Sequence, residues 1–444
     1  MRSESTIQNA NINMDKKKIR LVEINKLWGV KSIVCPLNND VNIIIGSNGS
    51  GKTTFLKIIE AVLLCDVPVL NSIQFESVVI YLEGGDNCIR VIQTPEDDTL
   101  NLTYIFDEKD EYTFSSDGPV RRGRISICFQ NTISTIRARL DSLVNVAWLS
   151  VNRFTPIDRR GDFRESIDDD SVNSKLRRLM QELLVYRLRL EGIVNNLSNQ
   201  QNQEVFSLLL YNKEYDVYNS QNIKEFLDLD TKNIQTALFR VFSQLGISSE
   251  KRDDIKGHIA AMSATVQKIL KQENLTFNDI FPLSLVNRTL SLIEISKKYT
   301  SHKDSVLEPV SKYISCLQRF MNDKVFTFSE KNGNLKVELK PINDEKNGEK
   351  VIKNIEVPHQ SLSSGEKQLL ILLTQTLLQE QQPFVYIADE PELSLHIEWQ
   401  HKIINAIREL NPNAQIIVAT HSPEIAGQWR TNITNLQNVT EYGC

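Results

Sequence analysis

The sequence predicts an α/β fold: a mixed core sheet beside an antiparallel β-subdomain, interrupted by an inserted all-α lobe with a short coiled coil. Three observations predict it. The apolar run Val41 to Ile45 leads into Gly46-Ser47-Asn48-Gly49-Ser50-Gly51-Lys52-Thr53, and a helical apolar pattern (Phe55, Leu56, Ile58, Ile59, Val62, Leu63) follows. Two more buried-strand runs, Phe384 to Glu390 and Ile416 to Thr420, alternate with helical runs near the other end of the chain. Between these halves, residues from about 171 to 323 keep a helical pattern.

The loop after Val41 to Ile45 fits G-x-x-x-x-G-K-[ST], and each residue type has a physical reason. Glycines at 46, 49 and 51 let backbone N–H groups turn inward around a polyanion. The helix starting near Lys52 points its positive dipole end at the same place, and Thr54 lies in its first turn. Lys52 adds a mobile cation, and the Thr53 hydroxyl can ligate Mg²⁺. Residues 48–54 therefore read as the cradle of a nucleoside triphosphate.

A length of 444 residues suggests two or three domains, and 41% hydrophobic with 24% charged residues suits a globular chain with a sizeable core. A formal charge of −5 supplies no global basic field, which argues against nucleic acid as the main partner. Lys16-Lys17-Lys18, Arg121-Arg122-Gly123-Arg124 and Arg159-Arg160 are short enough to be solvated faces. The six cysteines include no C-x-x-C pair, so reduced thiols are expected rather than a metal site. No apolar run reaches the roughly 18–20 residues of a membrane span, and no signal peptide stands at the start. The expected location is cytoplasmic.

Residues 1–18 read as a disordered lead in which Met14 offers an alternative start. The expected divisions are 19–160 for the first half of the head, 161–323 for the helical lobe and 324–444 for the second half. Ile19 to Trp28 and Lys31 to Val34 alternate like antiparallel strands, and Trp28 has two readings, a stacking face for adenine or a buried strand aromatic. Glu76 to Leu82, Cys88 to Ile92, Leu100 to Phe106 and Tyr112 to Phe114 form a small antiparallel sheet. Val144 to Val151 is a buried strand, with Asn152 and Arg153 at its carboxyl end as either nucleotide contacts or caps.

In the helical region, Leu176, Leu179, Leu183, Tyr186, Leu190, Ile193 and Leu197 keep heptad spacing for about three heptads, enough for a compact lobe or a short coiled-coil hairpin. The polar stretches Asn195 to Gln203, Ser248 to Asp254 and Thr300 to Asp304 are expected to be loops between helices. Strands resume at Lys324 to Phe328, Leu335 to Leu339 and Ile352 to Val357, with Asn332-Gly333 as a hairpin signal.

Four elements then follow in tight order. Ser361-Leu362-Ser363-Ser364-Gly365-Glu366-Lys367-Gln368 precedes a helical run, so Ser363 and Gly365 form a second anion-binding helix start. The strand Phe384 to Glu390 ends in two acids: Asp389 can hold Mg²⁺, and Glu390 can orient or deprotonate an attacking water. Pro391 to His396 turns into a helix from about Ile397 to Leu410. His421 ends the strand Ile416 to Thr420, where it could bond a γ-phosphate, whereas His396 and His401 take structural roles. One nucleotide already has its cradle at residues 46–53, so a second cradle makes sense if it serves the nucleotide of another subunit.

This order resembles the ATP-binding-cassette ATPases: nucleotide loop, insert, an L-S-G-G-Q-like signature at Leu362-Ser363-Ser364-Gly365-Glu366, Asp-Glu pair and switch histidine. The resemblance implies an ABC-type P-loop head in which two copies sandwich two ATPs, forming a homodimer or higher homo-oligomer. Asp389-Glu390-Pro391-Glu392-Leu393-Ser394-Leu395-His396 and Ala419-Thr420-His421-Ser422-Pro423 are similar to the RecF/SMC/OLD branch. It implies catalytic roles for Lys52, Glu390 and His421, Mg²⁺ on Thr53 and Asp389, and Ser363 acting in trans. No glutamine clearly matches the family's Q-loop, and Gln130 is the candidate. The 23 residues after His421 (422–444) lead to the expectation that the TOPRIM nuclease of OLD proteins is absent. A stand-alone head with a modest lobe is similar to ATPase subunits of anti-phage systems, PARIS first, then Septu and retrons. That implies a separately encoded effector, a TOPRIM or HNH nuclease, and a phage-derived trigger; a RecF-like repair ATPase that binds DNA directly is the alternative.

Overall fold

The structure is a computed structural model describing residues 16–85, 87–96, 99–115, 127–150, 171–210, 231–244, 252–271, 273–274, 276–340, 355–391, 396–427 and 429–442. In chain order the first half contains β1 (Ile19–Leu27), β2 (Lys31–Pro36), β3 (Val41–Ile45), α1 (Lys52–Leu64) and α2 (Val67–Ser72). Then come β4 (Ser77–Leu82), β5 (Cys88–Glu96), β6 (Thr99–Phe106), β7 (Asp110–Ser115), α3 (Ile127–Leu143) and β8 (Val146–Ser150). The helical region holds α4 (Ser171–Ser207), α5 (Thr231–Gln244), α6 (Arg252–Leu270) and α7 (Phe277–Phe320). The second half adds β9 (Lys324–Phe328), β10 (Leu335–Leu339), β11 (Ile355–Glu356), α8 (Ser364–Leu377), β12 (Phe384–Asp389) and α9 (Ile397–Leu410). It closes with β13 (Ala414–Ala419), α10 (Pro423–Gly427), β14 (Ile433–Asn435) and β15 (Thr440–Tyr442).

The chain divides into two units, Met1–Val185 with Val310–Cys444, and Tyr186–Pro309. The first contains a five-stranded sheet of order β14-β3-β13-β12-β8, parallel at every pairing. Its central strands are apolar runs buried on both faces, as parallel strands covered by helices must be. A seven-stranded antiparallel sheet, β15-β2-β1-β4-β5-β6-β7, forms the β-subdomain. The mixture of strand directions thus lies between the sheets. One core joins them: Phe55, Ile58 and Ile59 of α1 cluster with Ile24, Val91 and Tyr104 of the antiparallel sheet and with Ile387 and Ile417 of the parallel one. Gln415, fully buried in β13, exchanges two hydrogen bonds with the Ile19 backbone of β1 (2.8 and 2.6 Å), a polar pin across the same boundary. The hairpin β9–β10 turns at Gly333, whose φ of +70° suits glycine.

The second unit is helical in its described parts. Ile234 and Leu238 of α5 pack with Ile255, Ile259, Met262 and Val266 of α6 and Val286 of α7. The long helix α7 carries Pro282 and Pro309, each lacking a backbone donor, and the division between units falls at Pro309.

Several expectations need correction. Asn195 to Gln203 lies inside α4 and Thr300 to Asp304 inside α7, so neither is a loop. Long helices keep solvated polar faces, and a polar stretch on such a face mimics a break. Helix α3 was not expected at all. The heptad leucines are buried from Leu176 to Leu190, but Ile193 is 42% exposed, so the apolar stripe is shorter than its spacing. Trp28 is no buried strand aromatic: it sits in the β1–β2 turn at φ +54°, 39% exposed. Residues 1–15, Arg121 to Arg124, Asn152, Arg153, Arg159, Arg160, Ser248 to Lys251, Ile352 to Asn354 and Glu392 to Leu395 lie outside the described residues.

Candidate functional site

Parallel pairing decides the site. Ile44 pairs with Ala419 and Ala419 with Asp389, so β3, β13 and β12 run side by side and end together. Their carboxyl ends lead into the phosphate loop, His421 and Glu390 respectively. Segments more than 300 residues apart in sequence therefore share one sheet edge, the usual place for ligands in parallel α/β folds.

The loop has the geometry its glycines allow. Gly49 and Gly51 take φ of +76° and +103°, the latter as the N-cap of α1. A Cβ at Gly46 would fall 2.7 Å from Ser50 Oγ, and one at Gly51 would meet the Trp28 indole at 3.3 Å. Lys52, only 6% exposed, turns its ammonium onto the loop itself, donating to the Gly46 carbonyl (2.9 Å) and the Ser47 carbonyl (3.3 Å). Asn48 and Gly49 are exposed, and Thr53 and Thr54 are half-buried in the first turn of α1. Ser50 Oγ is buried without a hydrogen-bond partner. Such an orphaned hydroxyl, in a loop whose neighbouring helix amides lack intrahelical acceptors, fits a site that a polyanion completes.

Asp389 is the last residue of β12, and Glu390 follows at φ +47°, a left-handed conformation unusual outside glycine. The Glu390 N–H donates to the Ala419 carbonyl (2.8 Å), which locks this turn to β13. Thr420 N–H in turn donates to the Ile44 carbonyl (3.2 Å). His421 Nε2 stands 3.8 Å from Glu390 Oε1 with both side chains partly exposed. Ser422, the next residue, is buried and bonds Gln400 of α9 (2.9 Å). Two adjacent strand ends thus aim an acid and an imidazole at one spot. His396 caps the start of α9 and His401 is exposed on it, away from this pairing in sequence and in structural role.

Ser363 and Gly365 sit at the start of α8, and their described bonds lie elsewhere. Ser363 forms a capping box: its Oγ accepts the Glu366 N–H (3.3 Å), while its own N–H donates to Glu366 Oε2 (2.8 Å). Glu366 also pairs with Lys324 of β9 at 2.6 Å, and Lys324 with Asp323 at 2.6 Å. Burial alone would raise the Glu366 pKa, but Lys324 and the Ser363 N–H outweigh it and hold the carboxyl below its usual range. Burial opposes the charged form of Lys324 too, and its two carboxylates hold its pKa above the ordinary lysine value.

Behind the loop, α1 carries an acid the motifs do not use. Burial, reinforced by Asp66, pushes Glu60 up to about 8 despite Lys57 and Lys175. Lys175 of α4 is pushed down to about 8 by its own burial, with Glu60 opposing. Gln130, the Q-loop candidate, lies exposed in the first turn of α3. Two residues outside the motifs lie against the loop: Gln437 Nε2 donates to Ser47 Oγ (2.9 Å), and Asn435 Oδ1 lies 3.7 Å from where a Cβ of residue 46 would stand. No motif spacing marks either one.

Comparison with known proteins decides the family. The AAA ATPase domain family (AAA_15) matches residues 18–426. The chain belongs to this family. Among curated proteins it is similar to "Retron Ec83 probable ATPase" of Escherichia coli, 28% identical over 240 residues, covering 47% of this chain and 42% of that protein. It is also similar to "Retron Vc95 probable ATPase" of Vibrio cholerae serotype O1 biovar El Tor, 24% identical, covering 95% of this chain and 74% of that one. The match thus spans less than half the length of the first relative. Among solved structures, the Smc head domain with an extended coiled coil bound to the C-terminal domain of ScpA, from Pyrococcus furiosus, superposes at TM-score 0.41 and 15% identity over 96% of each chain. The SMC head domain from Thermotoga maritima superposes at 0.31 and 12% identity, over 92% of this chain and 91% of that one.

Within this AAA ATPase domain, the residues that could hold a nucleotide are the loop from Asn48 to Thr54 and the amides opening α1. Among the described residues no group of three or more His, Cys, Asp or Glu is placed to hold a metal by itself. Magnesium commonly binds through one or two protein oxygens, with phosphates and waters completing its octahedron. Thr53 and Asp389 fit that donor set. No described helix is long and apolar enough to cross a membrane.

Proposed function

We propose that this ATPase domain binds Mg²⁺–ATP in the loop 46–54 and hydrolyses it slowly, in sites shared between two copies of the chain. The observation that carries the reading is the common sheet edge, where Lys52, Asp389, Glu390 and His421 are delivered by three neighbouring parallel strands. Lys52 leaves the Gly46 and Ser47 carbonyls to meet the β- and γ-phosphates. Magnesium, held by Thr53 and Asp389, neutralises charge on those phosphates when bound. Glu390 orients the attacking water and accepts its proton, and His421 bonds the γ-phosphate. Ser363 and Gly365, at the start of α8, present a second anion-binding turn to the nucleotide of the partner copy, making a homodimer or larger homo-oligomer.

We further propose that nucleotide state gates a separately encoded effector, a TOPRIM or HNH nuclease, in an anti-phage system of PARIS, Septu or retron type. The names of the two curated relatives support the defence setting. The cytoplasm is the matching location, and a phage-derived molecule the matching trigger.

Complementation tests the shared site. Lys52→Ala and Ser363→Ala proteins are each expected to release little phosphate alone. Mixed, they form heterodimers with one intact composite site, so turnover should return in part. No recovery on mixing, together with an active Ser363→Ala protein, would rule out the trans arrangement. A wild type that releases no phosphate with any candidate partner would remove the hydrolase reading.

A further inference from the structure

Four described elements lie beyond residue 426, where the family match ends: the single turn Arg430–Asn432, β14, the single turn Leu436–Val439, and β15. They are firmly seated. Asn435 pairs with Ile45, the residue just before Gly46, while Tyr442 pairs with Lys31. Between them Leu436 is fully buried in the main core. From this seat the segment bonds the phosphate loop directly at Ser47 and is linked to the neighbourhood of Gly51 only through Lys31 and Trp28.

At the first end, Gln437 Nε2 donates to Ser47 Oγ at 2.9 Å. The Gln437 N–H is itself fixed by Asn435 Oδ1 (3.1 Å), and that oxygen lies 3.7 Å from where a Cβ of residue 46 would stand. At the second end, the Tyr442 ring shares the Lys31 ammonium with Trp28, at 5.4 and 4.9 Å from the two centroids. The Trp28 indole is the neighbour of Gly51.

Ser47 is the loop's junction. Its carbonyl accepts from Lys52 Nζ (3.3 Å) and from the Ser50 N–H (3.1 Å). When Lys52 swings to a phosphate, the first of these bonds is given up and the loop loses an internal tie. A hydroxyl held from outside the loop keeps Ser47 in place through that exchange, so binding need not reorder the cradle.

We propose that Ile433–Tyr442 is a brace that holds the phosphate loop ready for nucleotide, with Gln437 as the residue positioning Ser47. The proposal rests on the nucleotide-binding reading above. Gln437 is assigned to act through Ser47, and its loss should weaken binding without impairing the chemical step.

The test uses the full chain and titrates a non-hydrolysable ATP analogue with Mg²⁺ into wild type, Gln437→Ala, Ser47→Ala and the double variant. The loss of one exposed hydrogen bond predicts roughly three- to tenfold weaker binding in each single variant. The double variant should be no weaker than the weaker single one, because both changes delete the same bond. In turnover, Gln437→Ala should raise KM by the same factor and leave kcat within about twofold. The nucleotide-free thermal midpoint should stay within about 1 °C of wild type, since the bond is exposed. Unchanged affinity in Gln437→Ala, additive losses in the double variant, or a fall in kcat with KM unchanged would each overturn the brace. A wild type that binds no nucleotide, or a Lys52→Ala protein that binds as wild type does, would instead sink the nucleotide reading beneath it.

Discussion

Glu390 is held in a left-handed conformation at φ +47° with its amide donating to the Ala419 carbonyl. A side chain with a Cβ is strained there by on the order of 1–3 kcal/mol, a cost the surrounding strands sustain. Glu390→Gln keeps the shape and removes the proposed proton acceptor, so turnover should fall at least about 100-fold while the thermal midpoint hardly moves. Phosphate release and a melting curve on the same preparation check both halves. Gly51→Ala probes the other wall of the site. Its φ of +103° and the 3.3 Å approach to Trp28 should cost roughly 1–2 kcal/mol of stability and weaken nucleotide binding as well, readable by chemical denaturation and titration.

At the level of elements, two charged contacts give opposite responses to pH. The Lys324–Glu366 pair ties β9 to the start of α8, with side chains only 9% and 15% exposed. Glu366 is held below its usual pKa, so its contribution is present at neutral pH and disappears as pH falls through that lowered value. Lys324 is held above its ordinary value, so its share persists until pH rises past the usual lysine range. Lys324→Met should therefore destabilise by about 3 kcal/mol at pH 7, by stranding Glu366, and by much less near pH 4; denaturant melts at the two values decide it. Glu60 behaves the other way. Raised to about 8, it favours folding below the ordinary carboxylate range, and that contribution fades as pH climbs towards 8. Glu60→Gln should gain stability relative to wild type at pH 8 compared with pH 5, and equal differences at both values would contradict the assignment.

The whole molecule offers one further readout, its mass. If α8 of one copy completes the site of another, Glu390→Gln with Mg²⁺–ATP should accumulate as a dimer or larger assembly in light scattering, and return to smaller species on nucleotide removal. Ser363→Ala in the same background should stay dissociated. Because Ser363 also caps α8, this change should lower stability by about 1 kcal/mol, small enough to leave a folded protein.

The local chemistry of this chain was written in its sequence. A glycine loop between an apolar run and a helix has few alternatives, since only such a loop turns successive amides inward, and the runs Val41 to Ile45, Phe384 to Glu390 and Ile416 to Thr420 fell, to within a residue or two at their ends, on the buried parallel strands β3, β12 and β13. What tertiary structure alone decided was neighbourhood and helix continuity. Strand order put His421 beside Glu390 and Asn435 beside Ile45, and no residue spacing encodes pairing across hundreds of residues. Gln437 carries no motif, so its bond to Ser47 becomes visible only once β14 and β15 are seated. Asn195 to Gln203 looked like a break because a solvated helical face and a loop share the same polar composition, and the backbone of α4 runs through it.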